Sequence, residues 1–201
     1  MKKLLNPLII ALSLVPLSAL ACERPQVIGY DVGCLQGGLA TVWQQGKQGV
    51  VDKTGKIIIL AQYDFVGNFS EGLAIVEQNN KYGFIDKTNK IVIPIQYDDA
   101  WHFSEGLAGV EQNDKWGFID KTGKVIIPFK YQSAVLFVDD LAVVELDNKY
   151  GFIDKTGKIA IPFQYDYASW GFENGKAKVS LNGETFYIDK TGKRIDYKDK
   201  S

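Results

Sequence analysis

One repeated stretch decides the fold of this chain. Residues 106–139 read GLAGVEQNDKWGFIDKTGKVIIPFKYQSAVLFVD, and nearly everything after residue 37 is a variation on them. The preceding copy, residues 72–105, reads GLAIVEQNNKYGFIDKTNKIVIPIQYDDAWHFSE. A fixed period in this range is typical of a repeat architecture. The predicted repeat domain covers residues 38–201, in units 38–71, 72–105, 106–139, 140–174 and 175–201.

Two turn motifs recur in every copy. The first is a two-residue turn such as Asn79-Asn80, which requires positive φ at both positions, and Asn, Asp and Gly adopt this best. The second is Asp-Lys-Thr-Gly-Lys, in which Asn89 once replaces the glycine, as a left-handed position allows. Each unit is therefore predicted to be a three-stranded antiparallel meander.

Pairing across the first turn gives each sheet two different faces. In the second copy, alternation places bulky side chains on one face (Leu73, Ile75, Tyr82, Phe84) and small ones on the other (Ala74, Val76, Gly83, Ile85). Both faces are apolar, so successive sheets are expected to stack with the bulky face against the small face. The recurring glycine is expected to mark the close approach of a neighbouring unit or a local kink. The proline of the third strand is expected where that strand leaves the sheet.

The predicted fold class is all-β, with five tandem three-stranded units. The units are stacked either as an open superhelical, solenoid-like array or closed like a propeller, and the sequence does not decide between the two. Residues 22–37 resemble the tail of a copy, so they are predicted to be a partial repeat that covers the open end.

Residues 1–21 have the pattern of a signal peptide. Lys2 and Lys3 precede an apolar run that ends at the small-residue site Ala19-Leu20-Ala21. The run is short and contains two prolines, so no transmembrane span is expected in the mature chain, although a retained anchor helix is the alternative. The predicted location is periplasmic or secreted.

Two cysteines, Cys22 and Cys34, allow two interpretations. In an oxidising compartment a pair usually forms a disulfide, and the even number favours that interpretation. Alternatively, Cys22 directly follows the predicted cleavage site, as in bacterial lipoproteins, and could carry a lipid anchor to the membrane. Lipidation would leave Cys34 unpaired, and the order Ala19-Leu20 reverses the usual lipoprotein signal.

The charge composition bounds the class of partner. The chain has formal charge −1, with 23 basic and 24 acidic residues and no block of like charge. An evenly mixed, near-neutral surface gives no electrostatic footprint for nucleic acid or for anionic lipid. No nucleic-acid partner is therefore expected.

Candidate chemistry is sparse. The aspartate that opens each second turn is expected to cap its own turn rather than to bind calcium, because no second acid recurs at ligand spacing. His102 is the single histidine, and one imidazole makes neither a zinc site nor a catalytic triad. No phosphate-binding glycine loop precedes a helix. We therefore predict no metal site, no cofactor and no enzymatic activity.

Aromatic residues that do not recur in register are the candidate ligand surface. Recurring aromatics, such as Phe84 and Tyr97, are expected in the core. Four others lie in tails or near hairpin ends and have no evident packing role: Trp43, Trp101, Tyr167 and Trp170. Exposed tryptophan and tyrosine are common anchors for protein partners and also stack on sugars. Tail aromatics can equally seal the joint between two units.

The core KWGFIDKTGKVIIP, followed by an aromatic, a tyrosine and a GLA restart, resembles the bacterial WG-repeat family, also called KWG repeats. The resemblance covers about residues 38–193. Only Trp116-Gly117 matches the name literally; the first copy has Gln48-Gly49 and the fifth lacks the pair. The resemblance implies a β-rich repeat domain, often in exported bacterial proteins, with poorly defined ligands and no catalytic residues.

These observations predict a non-catalytic binding or scaffold protein of the bacterial cell envelope. Its expected partner is another protein. The alternative is a carbohydrate- or peptidoglycan-binding module that would hold a cell-wall glycan on the tail aromatics.

Overall fold

The computed structural model describes residues 22–195, which form five antiparallel sheets of four strands each. The first sheet contains β1 (Asp31–Val32), β2 (Leu39–Gln44), β3 (Lys47–Asp52) and β4 (Ile57–Tyr63). The second contains β5 (Phe65–Val66), β6 (Leu73–Gln78), β7 (Lys81–Asp86) and β8 (Ile91–Tyr97). The third contains β9 (Asp99–Ala100), β10 (Leu107–Gln112), β11 (Lys115–Asp120) and β12 (Val125–Tyr131). The fourth contains β13 (Ser133–Ala134), β14 (Leu141–Leu146), β15 (Lys149–Asp154) and β16 (Ile159–Tyr165). The fifth contains β17 (Tyr167–Ala168), β18 (Ala177–Leu181), β19 (Glu184–Ile188) and β20 (Arg194–Ile195).

The predicted signal peptide, residues 1–21, lies outside the described residues, as do residues 196–201. Within residues 22–195 no helix is long and apolar enough to cross a bilayer.

The all-β tandem array is confirmed, but each sheet has four strands where the sequence predicts three. The additional strand has two residues and comes from the tail of the preceding copy. In the third sheet, for example, Asp99 pairs with Glu111 and Ala100 pairs with Val110. The tail that leads to the next unit therefore adds an edge strand to that unit before the chain turns back.

Both turn predictions are confirmed. Asn79 and Asn80 have φ of 54° and 59°, and both positions of the first turn have positive φ in all five copies. The fourth residue of the second turn is also left-handed, with φ of 84° at Gly123 and 65° at Asn89. The turn aspartate caps this loop: Asp86 Oδ1 accepts hydrogen bonds from Thr88 N (2.8 Å), Thr88 Oγ1 (2.6 Å) and Lys90 N (3.1 Å). The other four copies repeat this pattern.

The predicted register and stacking are confirmed as well. Val76 lies opposite Gly83, and Ile75 lies opposite Phe84. The core between the second and third sheets combines the bulky face of one (Leu73, Ile75, Phe84, Ile93, Tyr97) with the small face of the next (Ala108, Val110, Ile119). The other joints repeat this arrangement, so the core is a series of layers between sheets rather than one central cluster.

The recurring glycine marks a kink within its own sheet. A Cβ at Gly83 would lie 2.7 Å from Ile95 Cα and 2.8 Å from Ile93 O, both in the adjacent strand β8. The pairing of β7 with β8 is irregular at this point, where Gly83 alone lies opposite three residues of β8, 94–96. Pro94 lies within this irregular segment and β8 continues to Tyr97, so the expectation that the proline ends the strand is wrong. The irregularity tolerates a residue without an N–H donor.

The two ends of the array differ from its interior. The small face of the first sheet is covered by the N-terminal segment, through Val27, Tyr30, Val32 and Leu35. Cys22 and Cys34 form a disulfide that closes this segment. In the fifth sheet, the positions equivalent to Ile75 and Phe84 carry Lys178 and Tyr187. The array therefore ends in a polar face at one side and in a covered face at the other, which favours an open array over a closed ring.

Candidate functional site

The structure places the four candidate aromatics in three locations. Trp43 is 38% exposed on the first sheet, where its ring lies against Gly33. Tyr167 is 48% exposed and its ring lies 6.4 Å from that of Tyr150. Trp101 and Trp170 are brought together, with ring centroids 5.6 Å apart in an edge-to-face contact. These two residues follow the edge strands of the third and fifth sheets, so their contact spans the fourth sheet.

Trp101 is a packed residue, whereas Trp170 is presented to solvent. The Trp101 indole Nε1 donates a hydrogen bond to Ala134 O in the fourth sheet, at 2.9 Å, and its ring lies 6.4 Å from that of Trp116. A Cβ added at Gly109 would lie 3.3 Å from Trp101 Cδ1, so the glycine makes room for the indole. Trp170 is 67% exposed. Trp101 therefore seals a joint, and Trp170 extends its apolar surface outward.

The residue that is structurally equivalent to Trp101 decides whether a joint is filled. In each sheet, the equivalent residue is the one whose backbone N–H donates a hydrogen bond to a carbonyl oxygen of the strand next to the edge strand. From the first sheet to the fifth, these residues are Gly33, Gly67, Trp101, Val135 and Ser169. Trp101 fills the joint between the third and fourth sheets. Gly67 leaves the joint between the second and third sheets open, as a groove of about 610 Å³. The groove thus lies where the second sheet has a glycine in place of a larger side chain.

Aromatic rings form the walls of this groove. Phe65, which is 40% exposed, and the half-buried Tyr82 lie on the second sheet. Trp101 forms the facing wall on the third sheet. Phe65 was not predicted from the sequence, although it is a tail aromatic that does not recur in every copy, as is Trp101.

Two carboxylates line the same groove. Glu77 is the cross-strand neighbour of both Phe65 and Tyr82, and Asp99 belongs to the edge strand of the third sheet. Burial raises the pKa of the Tyr82 phenol, and the negative charges of Glu77 and Asp99 raise it further. Among the described residues that line the groove there is no lysine or arginine. The groove is therefore both aromatic and acidic.

His102 is exposed at the rim of the groove, beside Trp101. Within residues 22–195 no group of three His, Cys, Asp or Glu side chains is arranged to hold a metal ion. The recurring aspartates are engaged in their own turns, as described above, which accounts for their presence in every copy.

Comparisons with known proteins identify the repeat and the fold. The "WG containing repeat" family model matches residues 49–82, 82–116, 116–150 and 150–184. No curated protein matches the sequence.

Among solved structures, the fold is similar to one described as the eukaryotic initiation factor, with a TM-score of 0.60, 10% identity, and 86% of this chain and 55% of that chain covered. Hsv2 of Kluyveromyces lactis aligns with a TM-score of 0.53 and 10% identity, over 79% of this chain and 59% of that chain. This chain spans little more than half of each of these structures, and at such identities the similarity concerns the fold alone.

Four consecutive matches extend without a gap from Gly49 to Glu184, across most of the described residues. They share the period of the tandem sheets but are offset from them: each match begins at or beside the glycine over which the fourth strand of a sheet crosses, and ends in the third strand of the next sheet. The chain therefore belongs to the WG containing repeat family.

Proposed function

We propose that this chain is an exported, non-catalytic binding or scaffold protein of the bacterial cell envelope, and that its partner is a protein. The observation that carries the proposal is the exposed aromatic surface formed by the groove together with Trp170. Large aromatic side chains that are exposed on a rigid scaffold are frequent anchors in protein interfaces. A repeat array presents such a surface on an extended framework without requiring a catalytic centre.

The proposed location is periplasmic or secreted. The charged and apolar pattern of residues 1–21 supports export, and the Cys22–Cys34 disulfide is compatible with an oxidising compartment. A cysteine sulfur in a disulfide is not available for the thioether of a lipoprotein. An intact-mass measurement of the exported protein tests this: a diacylglyceryl adduct on Cys22 would replace the proposal with a membrane-anchored lipoprotein.

Capture from a native envelope extract tests the function. Immobilised residues 22–201 are compared with a Trp170→Ala variant and with a Leu60→Ala control. Leu60 is 60% exposed on the first sheet, so its removal changes an apolar surface residue outside the aromatic surface. We expect one protein to be retained stoichiometrically by the wild type and the control, and to be reduced by Trp170→Ala. An eluate with no specifically retained protein contradicts the proposal.

A carbohydrate- or peptidoglycan-binding module is the second candidate. The observation in its favour is the exposed Trp170 ring beside Trp101, because flat aromatic surfaces stack on sugar rings. In the same extract, retention of glycan without protein supports this candidate. Normal glycan binding by a Trp101→Ala, Trp170→Ala double variant would exclude it.

A further inference from the structure

The joint between the first and second sheets contains a cavity similar to the groove between the second and third sheets. Gly33 leaves that joint open, as Gly67 does in the next one, and the resulting cavity of about 400 Å³ is lined by Phe69 and Lys87. The Lys87 ammonium lies over the Phe69 ring, 5.9 Å from its centroid. The protein's own lysine thus places a positive charge against an aromatic ring in this joint.

The lysine that is equivalent to Lys87 does not line the groove between the second and third sheets. One repeat later, Lys121 forms an ion pair with Glu71 at 2.8 Å. The neighbouring Lys81 is paired with Asp98, and Lys47 is paired with Asp64. Within residues 22–195, neither Glu77 nor Asp99 is ion-paired with a lysine or an arginine. The aromatic groove therefore retains a negative charge without an internal cation.

The electrostatic field around the groove extends beyond its two carboxylates. On the third sheet, Glu111 is the cross-strand partner of Asp99. Burial raises the pKa of Glu111, and the charges of Asp99, Asp114 and Asp98 raise it further. Negative charge that is concentrated beside apolar walls attracts cations more strongly than the same charge in open solvent.

We propose that the groove between the second and third sheets binds a lysine or arginine side chain of a protein partner. The cation lies against the rings of Phe65, Tyr82 and Trp101, where the aromatic quadrupole attracts positive charge. Glu77 on the second sheet and Asp99 on the third supply the negative charge that balances it. The groove volume of about 610 Å³ accommodates one long side chain together with its adjacent backbone. This inference rests on the proposed function, because it specifies the chemistry by which a protein partner is recognised.

The probe is the peptide acetyl-Ala-Ala-Lys-Ala-Ala-amide, with its arginine analogue and an Nε-acetyl-lysine version that lacks the charge. Binding to the full mature chain is followed by the NMR shift of the Trp101 indole N–H. We expect both charged peptides to bind and the acetylated peptide to bind at least about fivefold more weakly. Raising the salt concentration from tens to hundreds of millimolar should weaken the charged peptides further.

Three variants locate the binding. Gly67→Val narrows the groove with the side chain that Val135 supplies at the equivalent position, and a Cβ at Gly67 meets only ordinary contacts, the nearest at 3.4 Å from Phe65 Cε1. Glu77→Gln removes charge with little change in shape. Glu145→Gln is the matched control, because Glu145 lies opposite Tyr150 as Glu77 lies opposite Tyr82, but on the fourth sheet. We expect a loss of at least about fivefold for the first two variants and a change below about twofold for the control.

Defined outcomes overturn the inference. Equal affinity for the acetylated and charged peptides, or equal losses of affinity in Glu77→Gln and Glu145→Gln, would show that the groove does not select its ligand by charge. A Trp101 shift with a chito-oligosaccharide but not with the charged peptides would assign the groove to sugars. If the charged peptides do not bind but a protein is captured from the envelope extract, this inference is refuted and the proposed function remains intact. Successful titration with an empty capture refutes the proposed function instead.

Discussion

Replacing Gly83 by alanine tests the crossing of β8 over β7. The added Cβ would lie 2.7 Å from Ile95 Cα and 2.8 Å from both Ile93 O and Ile95 N. All three atoms belong to the backbone, so no side-chain rotation relieves the overlap, and the irregular segment around Pro94 has to move. Overpacking of a well-packed site costs typically 1–3 kcal/mol, and we expect a loss of about 3 kcal/mol in the free energy of unfolding. In a chain of this size, that corresponds to a decrease of roughly 6–12 °C in Tm.

The matched control is Gly67→Ala. A Cβ at Gly67 would lie 3.4 Å from Phe65 Cε1 and 3.6 Å from Ile75 Cβ, which are ordinary contacts. We expect this variant to stay within about 1 kcal/mol of the wild type, because alanine also lowers the entropy of the unfolded chain.

Urea unfolding of both variants is followed by tryptophan fluorescence and by circular dichroism. Repeat arrays can unfold unit by unit, so amide hydrogen exchange in the second sheet supplies a local measure. The effect of Gly83→Ala should concentrate there. A Gly83→Ala variant as stable as the wild type would refute the argument from backbone overlap. Equal destabilisation of both variants would show that the cost is a general effect of replacing glycine in these sheets.

Three further predictions follow from contacts of single residues. The Tyr63 hydroxyl donates a hydrogen bond to Asn89 Oδ1, at 3.0 Å, across the joint between the first two sheets. A double-mutant cycle of Tyr63→Phe and Asn89→Gly should therefore give a coupling energy of about 1 kcal/mol. A coupling energy within error of zero would exclude a contribution of this bond to stability. Trp101→Ala should lower the free energy of unfolding by about 3 kcal/mol, while Trp170→Ala should change it by less than about 0.5 kcal/mol, and equal effects in a denaturation series would contradict the distinction between packed and presented rings. Hydrogen bonds from the threonine side chains lower the pKa of the turn aspartates below the ordinary value of 3.8. Their contribution to stability is therefore complete above about pH 4 and is lost as the pH falls through the lower pKa of the folded state. A Tm that stays constant down to about pH 2 would refute this linkage.

Local pattern was sufficient to predict most of the fold. Asn79-Asn80 determines the register because a two-residue turn of this type admits a single pairing of the flanking strands. The contrast between Ile75 and Val76 then determines which face of a sheet meets its neighbour. These features depend on residues close together in the chain and recur five times, so each copy supports the assignment made for the others.

Features that depend on contacts between distant residues were not predictable in the same way. The two-residue edge strand is too short to give a periodic pattern, and its pairing exists only because the next unit supplies a partner. Pro94 suggested a strand end, but the crossing over Gly83 provides an irregular segment in which proline is tolerated. The groove depends on Gly67, Trp101 and Phe65 together, and their roles become evident only when the tails are compared in structural register.

Stacking of a bulky face on a small face carries a risk of polymerisation. A face that packs against the next unit of the chain would pack equally well against the complementary face of a second molecule. Such a head-to-tail contact does not close on itself and would generate fibres. Lys178 interrupts the seating surface at the last sheet, and the disulfide-linked N-terminal segment occupies the complementary surface at the first. Lys178 and the N-terminal segment both lie outside the internal copies. Duplication or loss of an internal copy would therefore change the length of the array without altering either of these two end surfaces.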